Sequence, residues 1–196
     1  KPVDLNTKGL STGSKIKVLE TEDWITSVIY YDDKARPIYA YSENEYLETI
    51  DIVKSELDFL GNVTESASEH TFGTNSSLIT IDKFTYDRMN RLDKHTQQIE
   101  GQSEELISKN TYDDLGQLAS KGVGGKSTQG RLQNVDYAYN IRGWLKQINN
   151  PTSLGNDLFS CQVNNNTEDH GGTELFNGNI SETEWRTAND DNSLKW

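Results

Sequence analysis

Hydrophobic and polar positions alternate along most of this chain, in short runs that turn residues interrupt. Residues 24–31 and 78–86 crowd β-branched and aromatic side chains between turn signals, which is typical of β-strands. Residues 46–60 are rich in Glu, Leu and Lys, but their β-branched positions favour a strand over a helix. The pattern therefore predicts an all-β chain, with further strands over 15–18, 62–72, 91–99, 104–112, 117–121, 136–139 and 144–148.

One turn motif recurs between these strands. Tyr86 and Asp87 precede a turn in which Asn90 stands where the backbone often enters the left-handed region. Gly or Asn suits that site, because a Cβ costs roughly 1–2 kcal/mol there. We predict structural turns of this kind at Asp58 and Gly61, at Tyr112, Asp113 and Gly116, and at Tyr139, Asn140 and Gly143.

Three further stretches match the motif only in part. After Tyr31 and Asp32 the turn glycine is replaced by Ala35, and in residues 41–46 it is replaced by Glu45. Both replacements predict a turn of another type. The stretch 176–180 keeps only Gly178 and the following apolar residue.

The spacing of the turns indicates a repeated unit. Positions 61, 90, 116 and 143 are separated by 29, 26 and 27 residues. A near-constant period of this length is typical of arrays in which no unit buries its apolar face alone. The sequence therefore predicts consecutive antiparallel hairpins that complete each other's cores.

The chain resembles the RHS-repeat or YD-repeat proteins, in particular the long secreted ones of the Bacteroidetes. The stretches that carry this resemblance are YDRMNRL at 86–92, YDDLGQL at 112–118, VDYAYNIRGWLKQINNP at 135–151, LFNGNISETEWRT at 175–187 and residues 9–38. In that family successive hairpins coil into a spiralling β-sheet, which closes into a hollow shell in toxin and teneurin members. The resemblance implies that this chain is part of such a twisted sheet, a β-shell or solenoid.

Composition narrows the classes of partner. A net charge of −12 over 196 residues disfavours nucleic acid, since phosphates require a basic surface. Cys161 is the only cysteine, so no intrachain disulfide can form. No apolar run approaches the roughly 18–20 residues that span a bilayer, so we expect no membrane insertion. A start at Lys1 without a signal peptide is expected of a processed product or a segment of something longer.

The repeat pattern predicts a single region over 1–196 with three irregular parts. Residues 1–13 are expected to be a weakly ordered lead-in, and 121–130, with four glycines, a flexible loop. Residues 151–172 are predicted to be a long irregular insertion in which 158–163 could form an additional strand. The repeat pattern resumes over 173–187.

Candidate chemistry is sparse, and we expect no enzyme activity, no cofactor and no metal. The three histidines, at 70, 95 and 170, have no zinc-site spacing. Oxygen ligands for calcium are present in the cluster Asn164, Asn166, Glu168 and Asp169 and in the pair at 190–191, but neither matches an EF-hand loop. Nucleophile-elbow, Walker and dinucleotide-binding motifs are absent from the sequence. The many carboxylates leave a glycosidase-like hydrolase open, without singling out a pair.

Aromatic residues raise an alternative function. Four tryptophans and nine tyrosines could present a platform for sugar rings, although stacking along the sheet explains them more simply. The resemblance implies a non-catalytic structural segment of a secreted or cell-surface protein, which forms a scaffold or shell for an associated domain such as a toxin. Its partners would be the remainder of the parent protein or its cargo domain. The alternative is an adhesion module for cell-surface glycans or proteins.

Overall fold

The computed structural model describes residues 7–126, 130–189 and 193–196. The fold is all-β, as the sequence predicts. Its strands are β1 Gly13–Lys17, β2 Trp24–Tyr31, β3 Pro37–Asn44, β4 Thr49–Leu57, β5 Val63–Phe72, β6 Leu78–Tyr86, β7 Leu92–Ile99, β8 Glu105–Tyr112, β9 Leu118–Val123, β10 Gln133–Tyr139, β11 Leu145–Ile148, β12 Phe159–Asn164 and β13 Glu182–Thr187. No described helix is long and apolar enough to cross a membrane.

The chain divides into two compact units, one ending at Glu105 and the other beginning at Leu106. In the first unit, each strand from β1 to β7 pairs antiparallel with the next along the chain. In the second, β8 to β13 follow the same rule. The predicted consecutive antiparallel hairpins are therefore confirmed.

Five hairpins share one turn geometry. In each, the residue at the Asp or Asn position donates its backbone N–H to the carbonyl four residues later, and its own carbonyl accepts the N–H three residues later. The residue three positions on has a positive φ, and the strand register shifts just before the turn. These are type I turns with a bulge, built on Asp32 and Ala35, Asp58 and Gly61, Asp87 and Asn90, Asp113 and Gly116, and Asn140 and Gly143.

The first of these turns corrects the sequence analysis. Ala35 was expected to force another turn type, but its φ is 59° and its hydrogen bonds match those of the other four turns. The turn predicted within 41–46 lies further along, since β3 runs to Asn44 and Glu48 takes the left-handed conformation with φ 53°. The hydrogen-bond pattern of the hairpin therefore sets the conformation of Ala35 against the preference of its side chain.

Two irregular parts are shorter than predicted. β9 continues to Val123, so the first three residues of the predicted loop 121–130 are strand, and residues 127–129 lie outside the described part. β12 occupies Phe159–Asn164, which corresponds to the additional strand expected within 151–172. β1 begins at Gly13, at the end of the predicted lead-in, of which residues 1–6 are not described.

The described residues bury few apolar side chains fully. Leu106 and Leu154 are the buried hydrophobic ones, whereas the buried polar ones are Asp32, Thr96, Ser108, Asn149, Ser160, Asn164 and Glu184. Cross-strand ring pairs add local contacts, such as Tyr30 with Tyr39 at 5.6 Å and Phe84 with His95 at 4.5 Å between centroids. Backbone ladders, turn hydrogen bonds and such pairs therefore carry much of the order.

We expect Ala35→Gly to stabilise the protein by up to about 1 kcal/mol. Removing the Cβ relieves a left-handed strain of about 1–2 kcal/mol, while glycine loses about 0.5–1 kcal/mol more chain entropy on folding. The matched control, Ala40→Gly within β3, should instead destabilise by about 0.5–1 kcal/mol. Urea unfolding measures both variants, and equal destabilisation by the two would contradict the turn assignment.

Candidate functional site

A single side-chain oxygen organises each of the five shared turns. In the first turn, Oδ1 of Asp32 accepts the backbone N–H groups of Lys34 at 2.9 Å and Arg36 at 3.0 Å. The corresponding oxygens of Asp87, Asp113 and Asn140 accept the N–H groups two and four residues later, and that of Asp58 accepts those three and four residues later. Because the acceptor satisfies the turn N–H groups, Asp or Asn is required at this position.

The second carboxylate oxygen binds a side chain at the end of the same turn in three cases. Arg36 donates to Asp32 through Nε at 2.7 Å and lies 2.6 Å away through Nη2, and Arg91 forms the same pair with Asp87. Asn62 donates to Asp58 at 2.7 Å. The Arg36 side chain lowers the pKa of the fully buried Asp32 carboxyl well below its usual range, mainly through these hydrogen bonds.

Side chains from one turn also contact the next turn of the first unit. Arg36 donates through Nη1 to the carbonyl of Asp58 at 3.2 Å, and Lys34 lies over the ring of Phe59 at 4.1 Å. Asn62 donates to the side chain of Asn90 at 2.6 Å. The turns of β2–β3, β4–β5 and β6–β7 therefore form a row connected by polar contacts.

The tyrosine of the motif reaches back to an earlier hairpin. The hydroxyl of Tyr86 donates to the carbonyl of Val63 at 2.9 Å, and that of Tyr139 donates to the carbonyl of Leu118 at 3.0 Å. Tyr31 donates to the carbonyl of Ser11 at 2.6 Å. The three pairs are separated by 23, 21 and 20 residues. Sequence analysis assigned these tyrosines to the turns but missed the hydrogen bond, whose only signal was its near-constant separation.

The remaining predicted turn residues do not gather into one site. Tyr112 precedes the Asp113 turn at the end of β8, where its hydroxyl accepts a hydrogen bond from Asn110 at 3.5 Å. Gly178 has φ 90° and lies against Trp144, whose ring carbon would be 2.9 Å from a Cβ built at that position. The predicted turn residues therefore form separate structural positions along the strands.

The second unit contains a cleft beside the Asn140 turn. It encloses about 160 Å³ and is lined mainly by Asn140, Ile141, Arg142, Trp144, Asn165 and Phe176. The guanidinium of Arg142 lies 5.1 Å from the Trp144 ring centroid, and the Trp144 side chain is 39% exposed. An aromatic ring beside amide and guanidinium donors is a combination that can stack on and hydrogen-bond a sugar.

Beyond β12, acidic side chains converge on one point. Asp169, Glu182 and Glu184 each contribute a carboxylate oxygen to a group in which all lie within 4.8 Å of one another. Of the calcium ligands considered from the sequence, Asp169 belongs to this group and Asn164 borders it, whereas Asn166 lines the Trp144 cleft. The pair at 190–191 lies outside the described residues. Sequence analysis missed Glu182 and Glu184 because they follow a separate stretch of chain.

The acidic group has an uneven electrostatic environment. The backbone N–H of Asp169 donates to Glu182 at 2.8 Å and lowers the pKa of Glu182. Burial raises the pKa of Glu184, and the charges of Asp169 and Glu182 add to that effect. His170 opposes it, with Nε2 at 3.7 Å from Glu184 and its ring stacked on Trp196 at 4.4 Å.

The other histidines lie beside acids elsewhere. His70 contacts Asp51 at 2.6 Å, and His95 contacts Asp82 at 2.7 Å. Burial raises the pKa of the Cys161 thiol, which disfavours the reactive thiolate. These contacts are those of cross-strand pairs and a partly buried thiol.

No protein-family model matches the chain, and no curated protein sequence matches it. The chain is similar to one in the crystal structure of TcdB2-TccC3-Cdc42, with TM-score 0.37 and 11% identity over 89% of this chain and 10% of that chain. A second similarity is to a mutant of the Photorhabdus luminescens Tc holotoxin pore, with TM-score 0.21 and 9% identity over 92% of this chain and 12% of that chain. This chain spans about a tenth of the length of those chains, and at these scores the likeness carries no functional argument.

We expect Asp32→Asn to lower the urea midpoint at pH 7 more than the matched variant Asp113→Asn. Both asparagines keep an acceptor for the turn N–H groups, but only Asp32 is paired with an arginine, since Gln117 stands at that position in the other turn. A lowered folded-state pKa stabilises the protein above the ordinary value of 3.8 and loses that contribution as the pH falls below it. The difference between the variants should therefore stay constant from pH 7 to about pH 4 and shrink as the pH falls further towards pH 2. A difference that stays constant down to pH 2 would contradict the role of the ion pair.

Proposed function

We propose that this chain is a non-catalytic structural segment of an RHS/YD-repeat protein, in which it forms part of a scaffold or shell for an associated domain. The observation that carries the proposal is the commitment of the motif's polar groups to the fold. The Asp and Asn oxygens bind turn N–H groups, and the tyrosine hydroxyls bind carbonyls of earlier hairpins. Oxygens and hydroxyls that are hydrogen-bonded within the fold are not free to bind or react with a substrate.

The distribution of burial supports the same function. An ordinary globular enzyme surrounds its site with a large apolar core, whereas buried polar groups outnumber buried apolar ones among the described residues here. Consecutive hairpins that each depend on their neighbours can be extended by repetition. A scaffold or shell is built by such extension, because its size is set by the number of repeats.

The proposed partners follow from the sequence resemblance. They are other parts of the same longer protein, or a cargo domain such as a toxin, in a secreted or cell-surface setting. The net charge of −12 is consistent with a shell segment that stays soluble and repels nucleic acid.

A second candidate function is adhesion to carbohydrate through the Trp144 cleft. Trp144 and the largely exposed Phe176 lie beside the polar side chains of Asn140, Asn165 and Arg142. An exposed ring with amide neighbours is the arrangement that favours this alternative over a purely structural use of the aromatic residues.

The structural proposal predicts that an intact hairpin array protects the associated domain from protease. In the longer protein, Gly143→Val should open the β10–β11 hairpin, because φ is 79° and the added Cβ would lie 2.9 Å from Gln117. Limited proteolysis read by mass spectrometry should then show faster cleavage outside residues 1–196. The control is Gly130→Ala, whose added Cβ meets no atom within 4 Å. Equal cleavage of the wild type and Gly143→Val, with the hairpin shown to be lost by circular dichroism, would overturn the proposal.

The adhesion candidate predicts specific glycan binding that depends on one ring. A glycan array probed with the wild-type chain should give hits that Trp144→Ala reduces at least about tenfold, as expected for loss of a central aromatic contact. Trp24→Ala is the control, since Trp24 lies in β2 of the other unit beside Lys15. An array without hits would remove this candidate, and equal losses in both variants would assign the binding to another surface.

A further inference from the structure

The acidic group of the second unit is positioned by two paired strands and the segment between them. Glu182 pairs with Asn164 at the far end of β12–β13, and Glu184 pairs with Gln162 two residues along. Alternation along a strand places residues 182 and 184 on the same face. Asp169, from the intervening segment, joins them because its backbone N–H donates to Glu182.

The spacing of the oxygens fits a single cation. Calcium binds oxygen at about 2.3–2.6 Å, so two oxygens on one ion can be up to about 5 Å apart. One carboxylate oxygen from each of Asp169, Glu182 and Glu184 lies within 4.8 Å of the other two. Three negative charges held at this separation repel each other unless a positive charge lies between them.

Glu184 provides a second and independent observation. The residue is 4% exposed, and its Oε1 is buried without a hydrogen-bond partner among the described residues. A buried carboxylate that accepts no hydrogen bond is costly and is normally bound to a donor or a metal. Nε2 of His170 forms a long ion pair with Oε1 of Glu184, at 3.7 Å, which is beyond hydrogen-bond distance and leaves this oxygen without a donor among the described residues.

A neighbouring amide holds the other two carboxylates in place. Asn164 is 3% exposed and donates through Nδ2 to Asp169 and to Glu182, in both cases at 3.3 Å. These hydrogen bonds orient the two carboxylates while leaving each a second oxygen. Asn164 therefore acts as a positioning residue, as is usual around metal ligands.

We propose that Asp169, Glu182 and Glu184 bind one Ca²⁺ ion, which attaches the segment after β12 to β13. The ligand set is made of oxygen atoms, which calcium prefers, and one ligand comes from an irregular segment that can adjust to calcium's variable coordination. Zinc prefers nitrogen and sulfur ligands, and magnesium requires near-ideal octahedral geometry and retains several waters. Three carboxylates predict an affinity in the range of extracellular calcium modules, with a Kd of about 10⁻⁴–10⁻³ M.

Terbium luminescence tests the site directly. Tb³⁺ replaces Ca²⁺ at oxygen sites and is excited by a nearby tryptophan, and Trp196 stacks on His170 beside Glu184. Excitation of tryptophan in the wild-type chain should give saturable Tb³⁺ emission that CaCl₂ displaces more effectively than MgCl₂. Trp196→Phe should reduce the emission while calorimetric Ca²⁺ binding persists, which localises the ion.

Glu184→Gln should weaken Ca²⁺ binding at least about tenfold, because it removes one charged ligand. Glu174→Gln, which removes an exposed acid of the same unit, is the control and should bind as the wild type does. Both variants are checked for native circular dichroism. If Glu184→Gln fails to fold, a Ca²⁺-dependent rise of the wild-type Tm, measured against EDTA and reproduced in Glu174→Gln, supports the site. Absence of saturable Tb³⁺ emission, or equal Ca²⁺ affinity in both folded variants, would overturn the proposal.

Discussion

The structure depends on one recurring interaction, the hydrogen bonds from turn N–H groups to the side-chain oxygen of Asp or Asn. That oxygen fixes the first residue of the turn, the backbone bonds fix the bulge, and the residue three positions on is left in the left-handed conformation. With the turn fixed, the register of the following strand is fixed as well, and so is the face on which each side chain lies. The tyrosine just before the turn can then reach a carbonyl of an earlier hairpin, as Tyr86 and Tyr139 do.

Such a fold gains little of its stability from a conventional hydrophobic core. Few apolar side chains are fully buried, and many large ones, such as Leu19, Phe59 and Leu115, are largely exposed. Part of the stability must therefore come from contacts between neighbouring hairpins, of which Arg36 is an example. It binds Asp32 within its own turn and the carbonyl of Asp58 in the next. A side chain shared in this way couples the stability of two hairpins, so that each turn contributes more than its own local bonds.

Features whose physical cause lies within one short segment of chain could be predicted from the sequence, whereas contacts between distant residues could not. The strands over 24–31 and 78–86 were predicted to the residue, because alternation and turn signals lie within the segment itself. The turn type predicted at Ala35 was wrong, because a side-chain preference of about 1–2 kcal/mol was weighed without the hydrogen bonds that oppose it. The tyrosine bonds and the convergence of Asp169 with Glu184 join residues far apart in the chain. The near-constant separation of the tyrosine bonds identifies their partners only once the strand register is known, and the sequence pattern gives no signal of the acidic group.

Buried acids in this protein differ in what surrounds them, and that difference indicates their roles. Asp32 is buried with an arginine and two N–H donors, which lower its pKa, so its charge is already compensated within the fold. Glu184 is buried among other acids, and its pKa is raised. The first arrangement stabilises a turn without any ligand, whereas the second is unfavourable until a proton or a cation arrives. The repeat turns are therefore complete as folded, whereas the acidic group of the segment between β12 and β13, where the repeat is interrupted, is an arrangement that a bound cation would stabilise.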